Sequence, residues 1–280
     1  MKPGMDGAGW KLDGSTVLLG IVGDPVAQVK APQPLTERLQ ATGINAVLVP
    51  LQVAPGALAA VLHELLHIRN FAGLIVTVPH KQAAAQAAGP ASERALRIGA
   101  ANVLRRSGSA WEADLFDGLG FVRGLQRAGH AVPGRTACIL GAGGAASAIA
   151  FALAEAGAKA LRIHDIAGER TDALLRRLQA ADIEARRWDG VDTGGADLLV
   201  NATPLGMKPA DPLPLPAASL HPALVVADVV MQPAVTALMA AAAERGCPVQ
   251  GGRPMMEEQL AMMQDFFAPA IAAAAAGEAR

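Results

Sequence analysis

The chain has 280 residues, 52% hydrophobic and 18% charged, with a formal net charge of −1. That length can bury one large core or two modest ones without disulfides or a structural metal. The near-neutral balance, with basic residues in scattered pairs such as Arg105/Arg106 and Arg186/Arg187, argues against nucleic acid.

No apolar run reaches the ~18 residues that crossing a bilayer requires, so no membrane partner is expected. The chain reads as a soluble, cytoplasmic monomer or homodimer that acts on a small molecule. The two cysteines, Cys138 and Cys247, are expected to be buried reduced thiols. The opening stretch to Thr16 is glycine-rich and lacks an apolar core region, so it reads as a loose tail and not as a secretory signal.

Apolar runs of strand length alternate with segments of helical period. This is the pattern of a parallel sheet with crossover helices, so the fold class is α/β. In chain order, strands are expected at Val17 to Val22, Ala46 to Val49 and Leu74 to Thr77, with helices at Leu35 to Ala41 and Ala57 to Ile68 between them. Another β segment, Asn102 to Leu104, leads through Ser107-Gly108-Ser109 towards Trp111. A second set begins at Thr136 to Leu140 and continues with Ala160 to His164, Ala196 to Val200 and Leu224 to Ala227. The proline-rich stretch Thr203 to Pro216 is too long for a simple connector and is a candidate functional loop. After Gly251-Gly252 a final helix carries Met255, Met256, Leu260, Met263 and Phe267 as a core stripe.

Gly141-Ala142-Gly143-Gly144-Ala145-Ala146 follows a predicted strand and opens a predicted helix running to about Ala156. In that setting glycines let backbone approach a pyrophosphate at a helix N-terminus, so the turn predicts a dinucleotide cofactor. The next strand ends at His164-Asp165, and Asp165 stands 24 residues after Gly141, where a carboxylate can hydrogen-bond the ribose hydroxyls. NAD is therefore the expected cofactor. NADP would need a cation, and the nearest basic residue downstream is Arg170. The competing reading of Asp165 is a helix N-cap.

Several separated motifs line up in one order: Gly23-Asp24-Pro25-Val26, Val76-Thr77-Val78-Pro79-His80-Lys81, Gly99-Ala100-Ala101-Asn102, Asp117-Gly118-Leu119-Gly120-Phe121, the glycine turn, Asn201-Ala202-Thr203-Pro204-Leu205-Gly206-Met207, Asp228-Val229-Val230, and Met255 with Gln259. The ordered set resembles the shikimate and quinate dehydrogenases over nearly the whole chain. The resemblance implies a substrate domain over residues 1–117, completed by a C-terminal helix over 252–280, and a Rossmann-like doubly wound NAD(P)-binding domain over 118–251, with a cleft between them. It implies that Lys81 and Asp117 form the catalytic pair and that Thr77, Asn102 and Gln259 contact substrate. Asn201, Thr203, Val229, Gly252 and Met255 join the glycine turn, His164 and Asp165 on the cofactor side.

The chemistry suits those roles. Hydride removal from a secondary alcohol leaves charge on oxygen, and a lysine can stabilise that alkoxide or take the hydroxyl proton while an aspartate holds the ammonium. Alone, Lys81 would read as a solvated lysine at a helix start; Asp117, Asn102 and Gln259 in their places reverse that.

The chain also departs from the family. Where members present a Ser-x-Ser-Pro turn to a substrate carboxylate, this sequence has Val29-Lys30-Ala31-Pro32. The usual asparagine before the lysine motif is Ile75, the usual Asn-Thr before the catalytic aspartate is Leu115-Phe116, and a common tyrosine after Asp-Val-Val is Met231. All run from polar to apolar. Weak or absent turnover of shikimate is the expectation, with Lys30 a candidate replacement anchor.

Two other classes compete. His63-Glu64-Leu65-Leu66-His67 matches the HExxH zinc hydrolase pattern, although its surroundings read as an ordinary crossover helix, so no metal is expected. A catalytically silent NAD-binding regulatory protein would explain the altered pocket but would not need Lys81, Asp117, Asn102 and Gln259 together.

Overall fold

A computed structural model describes residues 12–277. Most of the expected loose tail lies outside the described residues. Its last part is a turn in which Thr16 donates to Asp13 and, through its hydroxyl, to the Asn45 side chain, and Thr16 is buried.

The chain divides into two units. One comprises the residues up to Leu115 together with those from Met262 onward, and the other runs from Phe116 to Ala261. In the first unit, strands β1 (Val17–Gly23), β2 (Ala46–Gln52) and β3 (Phe71–Val76) are parallel, and β4 (Val103–Ser107) and β5 (Ala110–Asp114) add an antiparallel hairpin, in the order β2-β1-β3-β4-β5. Every side chain of β3 is buried, as the uninterrupted run FAGLIV requires of a strand covered on both faces. Helices α1 (Pro32–Ala41), α2 (Leu58–Leu65), α3 (Lys81–Ala87) and α4 (Glu93–Ile98) complete the connections.

In the second unit, α5 (Asp117–Arg127) leads to six parallel strands: β6 (Thr136–Leu140), β7 (Ala160–His164), β8 (Ala185–Arg187), β9 (Leu198–Asn201), β10 (Val225–Asp228) and β11 (Val249–Gln250). Their order, β11-β10-β9-β6-β7-β8, is doubly wound. From β6 the chain proceeds outward on one side and then returns to β9 on the other, so the topological switch point lies between β6 and β9. Open α/β sheets bind ligands beyond the carboxyl ends of the strands at such a point. Helices α6 (Gly144–Glu155), α7 (Gly168–Gln179) and α8 (Ala237–Glu244) are the crossovers, and α9 (Arg253–Ala275) divides between the units after Ala261.

Strand and helix positions follow the periodicity closely, with shifts of a few residues at the ends. One of these shifts is at α2, expected to reach Ile68. It stops at Leu65, and the chain turns through hydrogen bonds from His67 to Glu64 and from Ile68 to Leu65. His67 therefore lies past the end of the helix that carries His63, with the two rings in edge contact at 5.6 Å between centroids. Among the described residues no group of three or more His, Cys, Asp or Glu side chains is placed to hold a metal. No helix among them is long and apolar enough to cross a membrane.

Candidate functional site

In the first unit, three predicted site residues converge at the carboxyl end of β3. Val76 donates to the Asn102 carbonyl at 2.8 Å, the Thr77 amide donates to Val22 at 2.9 Å, and Ala101, next to Asn102, donates to the Lys81 carbonyl at 2.8 Å. Lys81 opens α3 half-buried, and Asn102 is buried. The loop after β1 is tied to the same place, since Asp24 donates to the Val78 carbonyl at 3.0 Å. That loop leads to Val29, half-buried, to Lys30, exposed, and to Ala31, which caps α1 without a side-chain hydrogen bond. Ile75 is buried in β3 between Ile21 and Val103.

Two side chains here had no local signal. His80 is buried with Nε2 2.7 Å from the Val53 carbonyl, which fixes the turn immediately before Lys81. Asp114 accepts from Ser92 Oγ at 2.5 Å, from Arg94 at 2.5 Å and from the Leu115 amide at 2.7 Å, anchoring the chain just before Phe116 and Asp117. Their partners are 27, 22 and 20 residues away, apart from the adjacent Leu115.

In the second unit, Asp117 is buried at the first position of α5, where the amino end of a helix favours a carboxylate. Phe116 is buried before it. The same helix packs closely on both sides. A β-carbon on Gly118 would meet the backbone of Ala148 in α6, and one on Gly124 would lie 3.2 Å from Met255 and Pro254 at the start of α9. Gln259 sits half-buried on α9 against this face.

The glycine turn joins β6 to α6. Gly141 has φ 101°, a left-handed conformation that favours glycine, and its amide donates to the His164 carbonyl at 2.7 Å. Ala142 donates to Asp165 Oδ2 at 2.8 Å. Gly143 is the N-cap of α6 and Gly144 its first residue; no side chain caps this end, and a β-carbon on either glycine meets nothing within 4 Å. Ala145 follows half-buried, and Ala146 is buried. An uncapped, uncrowded amino terminus with no acidic residue in its first turn is what a bound pyrophosphate requires.

Asp165 is not the N-cap of α7, which is Ala167. Its carboxylate spans two backbone amides, Ala142 of the glycine turn and Ala167, both at 2.8 Å. His164 turns its Nδ1 towards the Trp188 carbonyl at 3.2 Å and lies edge-on to the Trp188 ring. Asn201 is wholly buried at the end of β9, and its amide serves the protein: it bonds Leu205, Asp228 and both the amide and hydroxyl of Thr203. Val229 donates to the Asn201 carbonyl, Gly252 is pressed against Val229, Met255 is buried, and Met231 is half-buried. The loop from Thr203 closes on itself through Asp211, which accepts from Gly206 and Lys208.

Comparison with known proteins agrees with this geometry. The family model for the shikimate dehydrogenase substrate binding domain matches residues 21–104. The shikimate dehydrogenase (NADP(+)) of Rubrobacter xylanophilus is 39% identical over 253 residues, covering 88% of each chain. Among solved structures, shikimate 5-dehydrogenase from Listeria monocytogenes, in complex with shikimate and NAD, superposes with a TM-score of 0.85 at 27% identity, over 92% of this chain and 94% of that one. The ligand-free 5-ketofructose reductase of Gluconobacter sp. strain CHM43 gives a TM-score of 0.82 at 26% identity, over 93% and 98%. With the ordered motifs, the doubly wound sheet and a relative this similar over nearly its full length, the chain belongs to the shikimate/quinate dehydrogenase family.

Proposed function

We propose that this chain is an NAD(P)-dependent oxidoreductase that moves a hydride between nicotinamide and the secondary hydroxyl of a small cyclic or branched hydroxy compound, and that shikimate is not its best substrate. The observation that carries the reading is the β6–α6 turn. Gly143 has an extended backbone open to any residue and touches nothing a side chain would disturb, so its glycine serves no need inside the protein and leaves room for a ligand. The dinucleotide supplies or accepts the hydride.

The remaining steps belong to the chain's own residues. Lys81 takes or returns the hydroxyl proton at Nζ and stabilises the alkoxide, while Asp117 holds that ammonium and orients the hydroxyl. Thr77, Asn102 and Gln259 hold the substrate's other polar groups. At the far end, Val29, Ala31, Ile75, Leu115, Phe116 and Met231 offer no hydroxyl or amide side chain. Hydrogen bonds to a charged group contribute roughly 1.5–3 kcal/mol each, so the two absent serine hydroxyls amount to about 3–6 kcal/mol, a hundredfold or far more in affinity. An uncharged far end suits such a wall, and a relative named for 5-ketofructose, a sugar without a carboxylate, lends support.

Asp165 favours NAD, because a fixed carboxylate at the ribose repels a 2′-phosphate. The nearby Arg187 is already engaged by Asp172 and the Gly168 carbonyl. The Rubrobacter relative is named for NADP(+), so cofactor choice is a point on which the two sequences can be compared directly. Steady-state assays of shikimate, quinate and neutral polyols or ketoses with NAD and NADP test the proposal. Efficient oxidation of shikimate would overturn the substrate half, and absence of lysine-dependent turnover with every compound would favour a silent binding protein.

A further inference from the structure

Beside the switch point of the six-stranded sheet the ends of β9 and its outer neighbour β10 are joined by a buried polar cluster. Asp228, 1% exposed, accepts at Oδ1 from Asn201 Nδ2 at 3.1 Å and from the Val230 amide at 3.0 Å, and at Oδ2 from Thr236 Oγ1 at 2.7 Å. Thr236 in turn accepts from Met239 and caps α8. Asn201 passes the constraint on, accepting at Oδ1 from the amide and hydroxyl of Thr203 and donating to the Leu205 carbonyl. A β-carbon on Gly141 would lie 3.0 Å from the Ala202 carbonyl oxygen, so the loop shaped by Asn201 rests on the glycine turn itself.

Asp228 therefore bonds, directly or through Asn201, the loop after β9, the segment after β10 and the amino end of α8. All three of its partners are neutral donors, and burial pushes its carboxyl pKa up. A charge held there without a cation is costly as a simple fastening. Its bonds converge on the loop after β9, which rests on the glycine turn, and on the segment after the neighbouring β10, at the sheet's ligand-binding end.

We infer that Asp228 is a positioning residue for the dinucleotide, acting through Asn201 and Val230 to hold the β9 and β10 loops at a fixed separation beside the bound cofactor. This rests on the dinucleotide reading of the glycine turn. An asparagine in its place keeps one acceptor oxygen, which Asn201 and Val230 can still share, but presents a donor to Thr236 and carries no charge. All three bonds are then weakened or turned round without loss of shape or volume.

The test measures binding of NADH and NADPH to the full chain by quenching of nucleotide fluorescence, together with hydrogen exchange resolved by peptide. Asp228→Asn is expected to weaken the dinucleotide that the unaltered chain binds by about tenfold or more, the value of one hydrogen bond to a charged group. Exchange is expected to quicken at residues 202–206 and 229–231 while β6 and α6 stay protected. Thr236→Val should move both readouts in the same direction and Thr236→Ser should restore them, and this pair carries the test if Asp228→Asn does not fold. Unchanged binding in Thr236→Val and Asp228→Asn, or exchange quickened uniformly through the second unit, overturns the inference. Failure of the unaltered chain to bind either nucleotide overturns the dinucleotide reading, and this inference with it.

Discussion

A β-carbon built on Gly120 would lie 2.5 Å from Cγ of Gln259 and 2.8 Å from the Met255 carbonyl oxygen, so helix α5 touches the early turns of α9 with no room for a side chain. Asp117 lies one turn earlier on α5, so a shift of α5 against α9 at Gly120 would move it relative to Gln259. Gly120→Ala is expected to cost about 1–3 kcal/mol through overpacking and to lower turnover more than Gly124→Ala, where the neighbours stand 3.2 Å away. Thermal or urea unfolding beside steady-state kinetics checks both halves.

Lys81→Ala and Asp117→Asn are each expected to lower kcat by about a hundredfold to ten-thousandfold, the range for a positioned acid or base. The proposed mechanism has both act on one hydroxyl, so on that proposal the double variant should lose little more than either single one. Additive losses would show that they work on separate steps.

Gly143→Val is expected to fold with a loss under about 1 kcal/mol, since this position has an extended backbone and open surroundings. Dinucleotide binding should nonetheless fail, because the side chain occupies the approach to the α6 amides. Unimpaired binding of NADH or NADPH in fluorescence titration would remove the glycine turn from the cofactor site.

Returning both serine hydroxyls, as Val29→Ser with Ala31→Ser, is expected to raise kcat/KM for shikimate by about tenfold to a hundredfold per hydroxyl that reaches the carboxylate. Neutral substrates should gain nothing. A parallel rise for both classes would mean that the serines act on folding or loop order and not on the carboxylate.

Arg127 and Arg253 both bond Glu257, holding its carboxyl pKa below the ordinary glutamate value. A depressed folded pKa stabilises the folded state above the usual value of about 4.3 and loses that contribution as pH falls through the depressed value. The group is partly exposed, so Glu257→Gln should cost only about 0.2–1 kcal/mol at pH 7, and the difference should start to shrink as pH falls below about 4.3 and vanish only once pH is below the depressed folded value. Urea unfolding at a series of pH values from 7 downward measures it.

Cys138 is buried in β6, and burial pushes its thiol up to about 11. Iodoacetamide at pH 8 is expected to leave Cys138 unmodified in the folded chain and to alkylate it once the chain is unfolded, as mass spectrometry of tryptic peptides would show.

Much of the fold was legible because it is written in short-range pattern. Val17 to Val22 and Leu74 to Thr77 read as covered strands, the second in fact starting at Phe71, and Gly141 to Ala146 between a strand and a helix read as a nucleotide-binding turn. Lys81, Asn102, Asp117 and Gln259 were found through motif order, not through any property of their neighbours. His80, Asp114 and Asp228 went unselected as site residues because their importance lies in partners that chain order does not reveal: the Val53 carbonyl, Ser92 with Arg94, and Asn201 with Thr236. Asn201, expected on the cofactor side, pairs with Leu140 just before the glycine turn, and its amide is spent inside the loop, so its contribution there is to shape.

By itself, the sequence determined the α/β class, the strand and helix order, the glycine turn and the family, since periodicity and turn chemistry depend on residues a few places apart. The tertiary structure alone decided that Gly120 faces Gln259, 139 positions later, that Asp228 fastens two loops from β9 and β10, and that His67 leaves the helix of His63. Such pairings are settled by which surfaces exclude water together and which buried polar atoms find donors, and both are properties of the packed chain rather than of any stretch of it.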